Sequence, residues 1–191
     1  MAGRLDLLSV NVGTPAVLHV WRGEDVVSAI AKRPVAGDEI LVTAAGLEGD
    51  GQADTRAAPG GQVHGGRDKA VYAYPSEHLM WWEPVLAEDR GLAGEHALGP
   101  AAFGENLTTA GTDEGEACIG DTWRWGEAVL QVTQPRAPCY KLNLHRGFVG
   151  RDGTTVRMND SGRTGWYLRV LEQGRAPVAG PIEVAERHPA G

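Results

Sequence analysis

Apolar and polar residues alternate in short runs along most of the chain, the period of half-buried strands. Asp6–Val12 reads as an opening strand and Ala16–Trp21 as a second. Gly23-Glu24-Asp25 is a turn signal, followed by strands over Val26–Ala31 and Ile40–Thr43, with Val35-Ala36-Gly37-Asp38 between them. Ala70–Tyr74 resumes the pattern. Gly120-Asp121 leads into Thr122–Trp125, and Gly126-Glu127 turns that strand into Ala128–Gln134, a hairpin with Leu130 and Val132 on one face. Trp166–Leu171 and Pro181–Glu186 complete the strands. Helical spacing is rare. Pro75 suits the first position of a helix, and Glu77–Trp82 continues it until Pro84 interrupts or restarts it. Leu79, Trp82 and Leu86 share one face of that helix, so Trp81-Trp82 reads as core packing. A short helix is expected around Thr155–Asn159.

Gly46 to Asp68 breaks the pattern. It runs from Gly46-Leu47-Glu48-Gly49-Asp50-Gly51 through Pro59-Gly60-Gly61 to His64-Gly65-Gly66-Arg67-Asp68, too rich in glycine for a regular element. A loop this long inside a compact domain is usually functional or disordered. The 27 glycines and 11 prolines in 191 residues favour a turn-rich β architecture, and nothing in the composition divides the chain, so residues 1–191 read as one domain. A net charge of −7 argues against nucleic acid as the main partner. No apolar run is long enough to span a membrane, and the start lacks a secretory pattern. With only two cysteines, free thiols in a reducing cytoplasm are the simplest expectation.

Three segments have the residue types for chemistry. In Pro135-Arg136-Ala137-Pro138-Cys139, two prolines stiffen the backbone leading to a thiol, and Arg136 and Lys141 favour its thiolate, the form that binds metals. The local sequence leaves an inert buried cysteine as the competing reading. His64-Gly65-Gly66 permits close backbone approach and an anion-binding nest, with Lys69 as a point charge for phosphate. Ser161-Gly162-Arg163-Thr164-Gly165 has hydroxyl, guanidinium and N–H donors for a phosphate, or is simply a glycine-closed loop. Cys118, beside Ile119 and a turn, reads as a small buried hydrophobe. No zinc-ligand spacing, phosphate loop, dinucleotide fingerprint or GxSxG elbow occurs.

The order of these segments, together with Phe103-Gly104-Glu105-Asn106-Leu107 and the run Gln134 to Asn143 (QPRAPCYKLN), resembles the MOSC family, named for the C-terminal domain of molybdenum cofactor sulfurases. The likeness is greatest to its bacterial YiiM-like branch, linked to resistance to hydroxylaminopurine base analogues, and covers about residues 30–172. It implies a mainly antiparallel β-barrel with a few short helices, and a molybdenum cofactor (a Mo-pyranopterin) whose metal is ligated by Cys139. His64, Gly65, Gly66, Lys69, Asn106, Arg136, Ser161 and Arg163 are then the expected cofactor-binding residues. The activity implied is reduction of small N-hydroxylated compounds, of hydroxylaminopurine or amidoxime type. Because no flavin or nicotinamide motif is visible, a separate electron-donor reductase is expected as partner. The alternative is a carrier that delivers cofactor or sulfur on the Cys139 thiolate or persulfide. Two departures from YiiM-like members are expected to matter: a longer Gln52–Val63 segment, and no helical extension after the last strand. Substrate identity and oligomeric state are not legible.

Overall fold

The computed structural model describes residues 3–53, 57, 58, 61, 62, 64–90, 98–146 and 153–189. Seven strands close into a barrel. Going round it, Val71–Pro75 pairs with Trp166–Glu172, then come Ala128–Pro135, Thr122–Trp125, Gly180–Glu186, Gly3–Val12 and Leu107–Ala110, which returns to Val71–Pro75. All neighbours are antiparallel except that closing pair, which is parallel. Among the described residues three α-helices lie outside: α1 (Leu79–Arg90), α2 (Tyr140–Arg146) and α3 (Thr154–Ser161). The mainly β expectation holds, and the hairpin forms with Trp123 opposite Leu130 and Trp125 opposite Ala128.

Side-chain alternation sorts residues to the two faces of the barrel wall. Leu5, Leu7, Val71, Ala73, Trp123, Leu130, Val132, Leu168 and Ile182 fill the interior. Trp123 and Trp166 meet there edge to face, ring centroids 5.8 Å apart. On Val71–Pro75 the intervening residues Tyr72 and Tyr74 point outward, where Trp82, Leu86, Phe103, Leu142 and Met158 cover them as a second core. Every residue of that strand is therefore buried. As expected, Trp82 is wholly buried on the inner face of α1, and its indole N–H donates to the Tyr74 hydroxyl at 2.7 Å.

Some boundaries differ from the pattern. Pro75 ends its strand and precedes a 3-10 turn, Ser76–His78, so that α1 starts only at Leu79. That helix runs through Pro84, which lies on the exposed side, where water can serve the carbonyl the proline leaves without a donor. The first hairpin turns at Arg22-Gly23, with φ of 52° and 84°, not at Gly23-Glu24-Asp25. Two residues of positive φ give the primed turn whose twist suits a two-residue hairpin. Its return strand is Glu24–Ser28. Among the described residues, Ala16–Trp21 and Glu24–Ser28 pair only with each other, forming an arm that leaves the barrel and rests against α2. Among its described residues the long loop contains short pieces, Gly46–Leu47, Ala57–Ala58, Gly61–Gln62 and a 3-10 turn at Arg67–Lys69. Much of the Gln52–Val63 segment lies outside the described residues. Cys118 is half-buried, its sulfur 3.9 Å from the Glu116 carbonyl, so it is not the core residue its neighbours suggested.

Candidate functional site

Strand Ala128–Pro135 carries the chain to the site. A bulge at Thr133 interrupts its pairing, with Val132 opposite Leu168 and Gln134 opposite Tyr167. Bulges bend a strand and re-aim the residues beyond the bend. The Thr133 hydroxyl lies 2.6 Å from the Asp68 carbonyl and 3.0 Å from that of Tyr167, tying the His64–Lys69 loop to the bulge. Further along, the Arg136 N–H donates to the Gly165 carbonyl at 3.0 Å. Cys139 then opens α2, its carbonyl accepting from the Leu142 N–H at 2.9 Å. The sequence pattern gave no sign of this helix.

The thiol of Cys139 is half-buried. Burial by itself raises its pKa, but a hydrogen bond from His64, the charge of that ring, the backbone N–H of Lys141 and the Arg136 guanidinium outweigh burial and hold it below the ordinary thiol range. Such surroundings favour a reactive thiolate. Both free cysteines remain unpaired, and Cys118 lies elsewhere. His64, Gly65, Lys69, Asn106, Arg136 and Cys139 line one cavity of about 110 Å³, floored by the outward-facing rings of Tyr72 and Tyr167.

Arg136 is 7% exposed. Its guanidinium sits 4.9 Å from the Tyr72 ring centre, and it contacts the Met158 sulfur at 3.4 Å and the Tyr167 side chain. Among the described residues no carboxylate forms an ion pair with it. A buried cation without a carboxylate is costly unless an anion completes it, and here the nearest candidate is the Cys139 thiolate or an anionic ligand. Asn106 is different. Its amide donates to the Asn11 carbonyl at 3.1 Å and to Asp50 at 2.9 Å, and its oxygen accepts from the Tyr72 N–H at 3.1 Å. Asp50 also holds Lys32 in a buried ion pair and accepts from the Gly13 N–H. Asn106 therefore walls the cavity but spends its side chain on three other segments. Burial pushes the Lys32 pKa down, against the pull of Asp50.

Gly65 has φ +70°, a left-handed conformation that strains any residue with a Cβ, and it lies against the end of the Gln52 side chain at the cavity rim. Gly66 lies off the cavity, its carbonyl accepting from the Lys69 N–H. Ser161 and Arg163 are not brought to the cavity. The Ser161 hydroxyl donates to Met158 at the end of α3, and the Arg163 guanidinium stacks 4.6 Å from the Trp81 ring centre while its carbonyl accepts from Tyr74. Their polar atoms serve a helix end and an aromatic shelf. Residues that the sequence pattern did not single out, Tyr72, Tyr167, Lys32 and Asp50, line the cavity instead. Outward alternation on the two tyrosine strands was the signal available for the first two. Among the described residues, no three His, Cys, Asp or Glu side chains gather in a metal cage, and no helix is long and apolar enough to cross a membrane.

Comparison with known proteins agrees with this geometry. The chain is 41% identical over 188 residues to the uncharacterized protein YflK of Bacillus subtilis, covering 98% of this chain and 76% of that one. It is 42% identical over 160 residues to protein YiiM of Escherichia coli, covering 84% of this chain and 65% of YiiM. The crystal structure of that protein superposes with a TM-score of 0.68 at 33% identity, over 97% of this chain and 71% of the other. A protein named Reductase from Gibberella moniliformis is 34% identical over 166 residues, which are 86% of this chain but only 27% of that protein. The family model described as MOSC domain matches residues 60–185. The chain belongs to the MOSC domain family.

Proposed function

We propose that this protein binds a molybdenum–pyranopterin cofactor through the Cys139 thiolate and is an oxidoreductase for small N-hydroxylated compounds of hydroxylaminopurine or amidoxime type. The observation that carries this reading is the Cys139 thiol, held below its ordinary pKa in a cavity shared with a buried arginine that has no carboxylate partner among the described residues. The donor set fits the group. Cys139 would hold the metal through one soft thiolate, the donor type that suits a sulfur-ligated metal. Arg136 and Lys69 are the cations for the anionic parts of that cofactor, and His64 orients the thiol by hydrogen bonding it, as an outer partner does for a metal ligand.

When bound, the cofactor supplies the two-electron chemistry, while the protein supplies binding, orientation and electrostatics. The reaction balances as R–NHOH plus two electrons and two protons giving R–NH₂ and water. Its electrons come from a separate reductase. The fungal relative named Reductase, only a quarter of which matches this chain, supports a place for the domain in reductase chemistry. A reducing cytoplasm keeps both cysteines as thiols.

The test is molybdenum and pterin content after production in a cofactor-competent host. Wild type and Cys118→Ala should retain the metal near stoichiometrically, and Cys139→Ala should lose it. Equal molybdenum in all three proteins refutes the site. Cofactor retained without turnover of N-hydroxylated bases, even with an artificial reductant, favours the carrier reading.

A further inference from the structure

The Cys139 thiol has no resolving partner inside the molecule. The chain has two cysteines, both free, and Cys118 is not among the residues lining the Cys139 cavity. The Gly120 N–H donates to the Val132 carbonyl, which keeps Cys118 beside the middle of the strand whose far end leads to Cys139. Reversible oxidation at Cys139 therefore ends in a mixed disulfide with a thiol from outside. The surroundings select which thiol. Among the described residues the cavity is lined by four cations, Lys32, Lys69, Arg136 and Lys141, and by one carboxylate, Asp50, which Lys32 already holds. Arg136 is 7% exposed, and the Tyr72 ring and Met158 sulfur beside its guanidinium carry no charge to balance it. The acids Glu24 and Asp25 lie instead in a neighbouring cleft of about 850 Å³, which shares Gln52, Ala53 and Lys141 with the cavity. A small molecule attached to Cys139 is thus oriented by charge: a carboxylate is favoured inward on Arg136, and an ammonium is not.

We propose that, while no cofactor occupies the cavity, Cys139 is a modification site for small carboxylate-bearing disulfides, and that the mixed disulfide bars the cofactor until a thiol removes it. The exchange balances as Cys139–SH plus R–S–S–R giving Cys139–S–S–R and R–SH. The Cys139 sulfur bonds one sulfur of the reagent and is oxidised. The reagent's own S–S bond breaks, and its leaving sulfur is reduced and takes the thiol proton. The carboxylate of the attached half lies against Arg136. In a reducing compartment the thiol pool drives the reverse exchange, so the adduct accumulates only when that pool is oxidised. It then shields the thiol from irreversible oxidation to the sulfinic and sulfonic acids. The exchange stands on the cavity alone; the barring of cofactor rests on the functional reading above.

The test uses the full chain prepared without cofactor and a pair of disulfides of similar size and opposite charge, dithiodipropionate and cystamine. Adducts are followed by intact-mass spectrometry and placed by peptide mapping. Each rate is divided by that of free mercaptoethanol with the same reagent, which removes the difference between the leaving thiols. Cys139 should favour the dicarboxylate roughly tenfold or more at low salt, and the preference should shrink as salt rises. Cys118 is the control within the same molecule. Its N–H donates to Asp121, which Arg187 also pairs, so its local charge is balanced and it should show no such preference. Arg136→Gln should lower the preference at Cys139 several-fold, and the comparison of reagents on wild type stands whether or not that variant folds. Equal normalised rates at Cys139, or a faster reaction with cystamine, overturn the proposal. Molybdenum uptake tests the second half: protein carrying the dicarboxylate adduct should take up none from a cofactor source until dithiothreitol is added. Uptake equal to that of the unmodified protein overturns the barring step. Molybdenum absent from the unmodified protein, with the charge preference at Cys139 intact, sinks the functional reading and leaves the modification site standing.

Discussion

Asn106 provides the sharpest check on how the site is built, because it lines the cavity and also ties three segments together through its side chain. It is 4% exposed and hydrogen-bonds three segments through its side chain, reaching the Asn11 carbonyl, Asp50 and the Tyr72 N–H. Asn106→Ala leaves the Tyr72 N–H and the Asn11 carbonyl each short of a partner in a buried setting. Each such group costs about 1–3 kcal/mol. Asp50 keeps Lys32 and the Gly13 N–H and adds least. The expected loss is about 3–5 kcal/mol, a large part of the ~5–15 kcal/mol typical of a folded domain. For a chain of this size that is a fall in Tm of roughly 10 °C. Asn106→Asp separates the interactions further. It restores an acceptor for the Tyr72 N–H but sets a carboxylate against Asp50. One carboxyl of such a pair has its folded pKa raised above its unfolded value, so the destabilisation is present at neutral pH and fades as pH falls through that value and a proton enters. Urea midpoints of the three proteins from pH 7 to pH 4 read both effects. A loss under about 1 kcal/mol in the alanine variant, or no pH dependence in the aspartate variant, would falsify this account of the network.

The outer core supplies two further outcomes. His78 bonds Glu114 at 2.6 Å, and Glu114 also accepts from the Gly165 N–H; burial alone raises the Glu114 pKa, but these partners outweigh it and hold it below the usual carboxylate range. A depressed folded pKa gives stability that is present above the unfolded value and lost as pH falls through the folded one. The acid limb of the wild-type stability curve should therefore steepen below about pH 4.3, and Glu114→Gln should flatten it in the same titration. Trp82 is fully buried with its N–H on Tyr74, so Trp82→Phe should cost about 1–3 kcal/mol in chemical denaturation, and Trp81→Phe, on a half-buried ring, under about 1 kcal/mol.

Period-two alternation in the sequence predicted most of the barrel wall, because a strand with one wet or one differently packed face writes its burial into every second residue. The same logic gave the buried face of α1. Leu107–Ala110 was not legible as a strand. Its Leu107, Thr108 and Thr109 are all buried, so no alternation marks it, and yet it closes the barrel. The seven-residue α2 was hidden behind two prolines, and Lys141, a charged residue, is one of its buried positions. Cys139 was identifiable from the stiffened PRAPC segment alone as a candidate, and from the family's wording as the candidate. What only tertiary structure decided was which distant segments meet it. His64 reaches the thiol because Thr133 pins the loop at Asp68, and Arg136 faces it because the bulge turns the strand outward onto Tyr72 and Tyr167. Ser161 and Arg163, with the same residue chemistry for a phosphate, end at the tip of α3 and beneath Trp81. A local sequence records whether a residue is buried and how its backbone turns; it does not record which non-local surface will cover it, and in a site built on the outside of a barrel that surface is the whole of the difference.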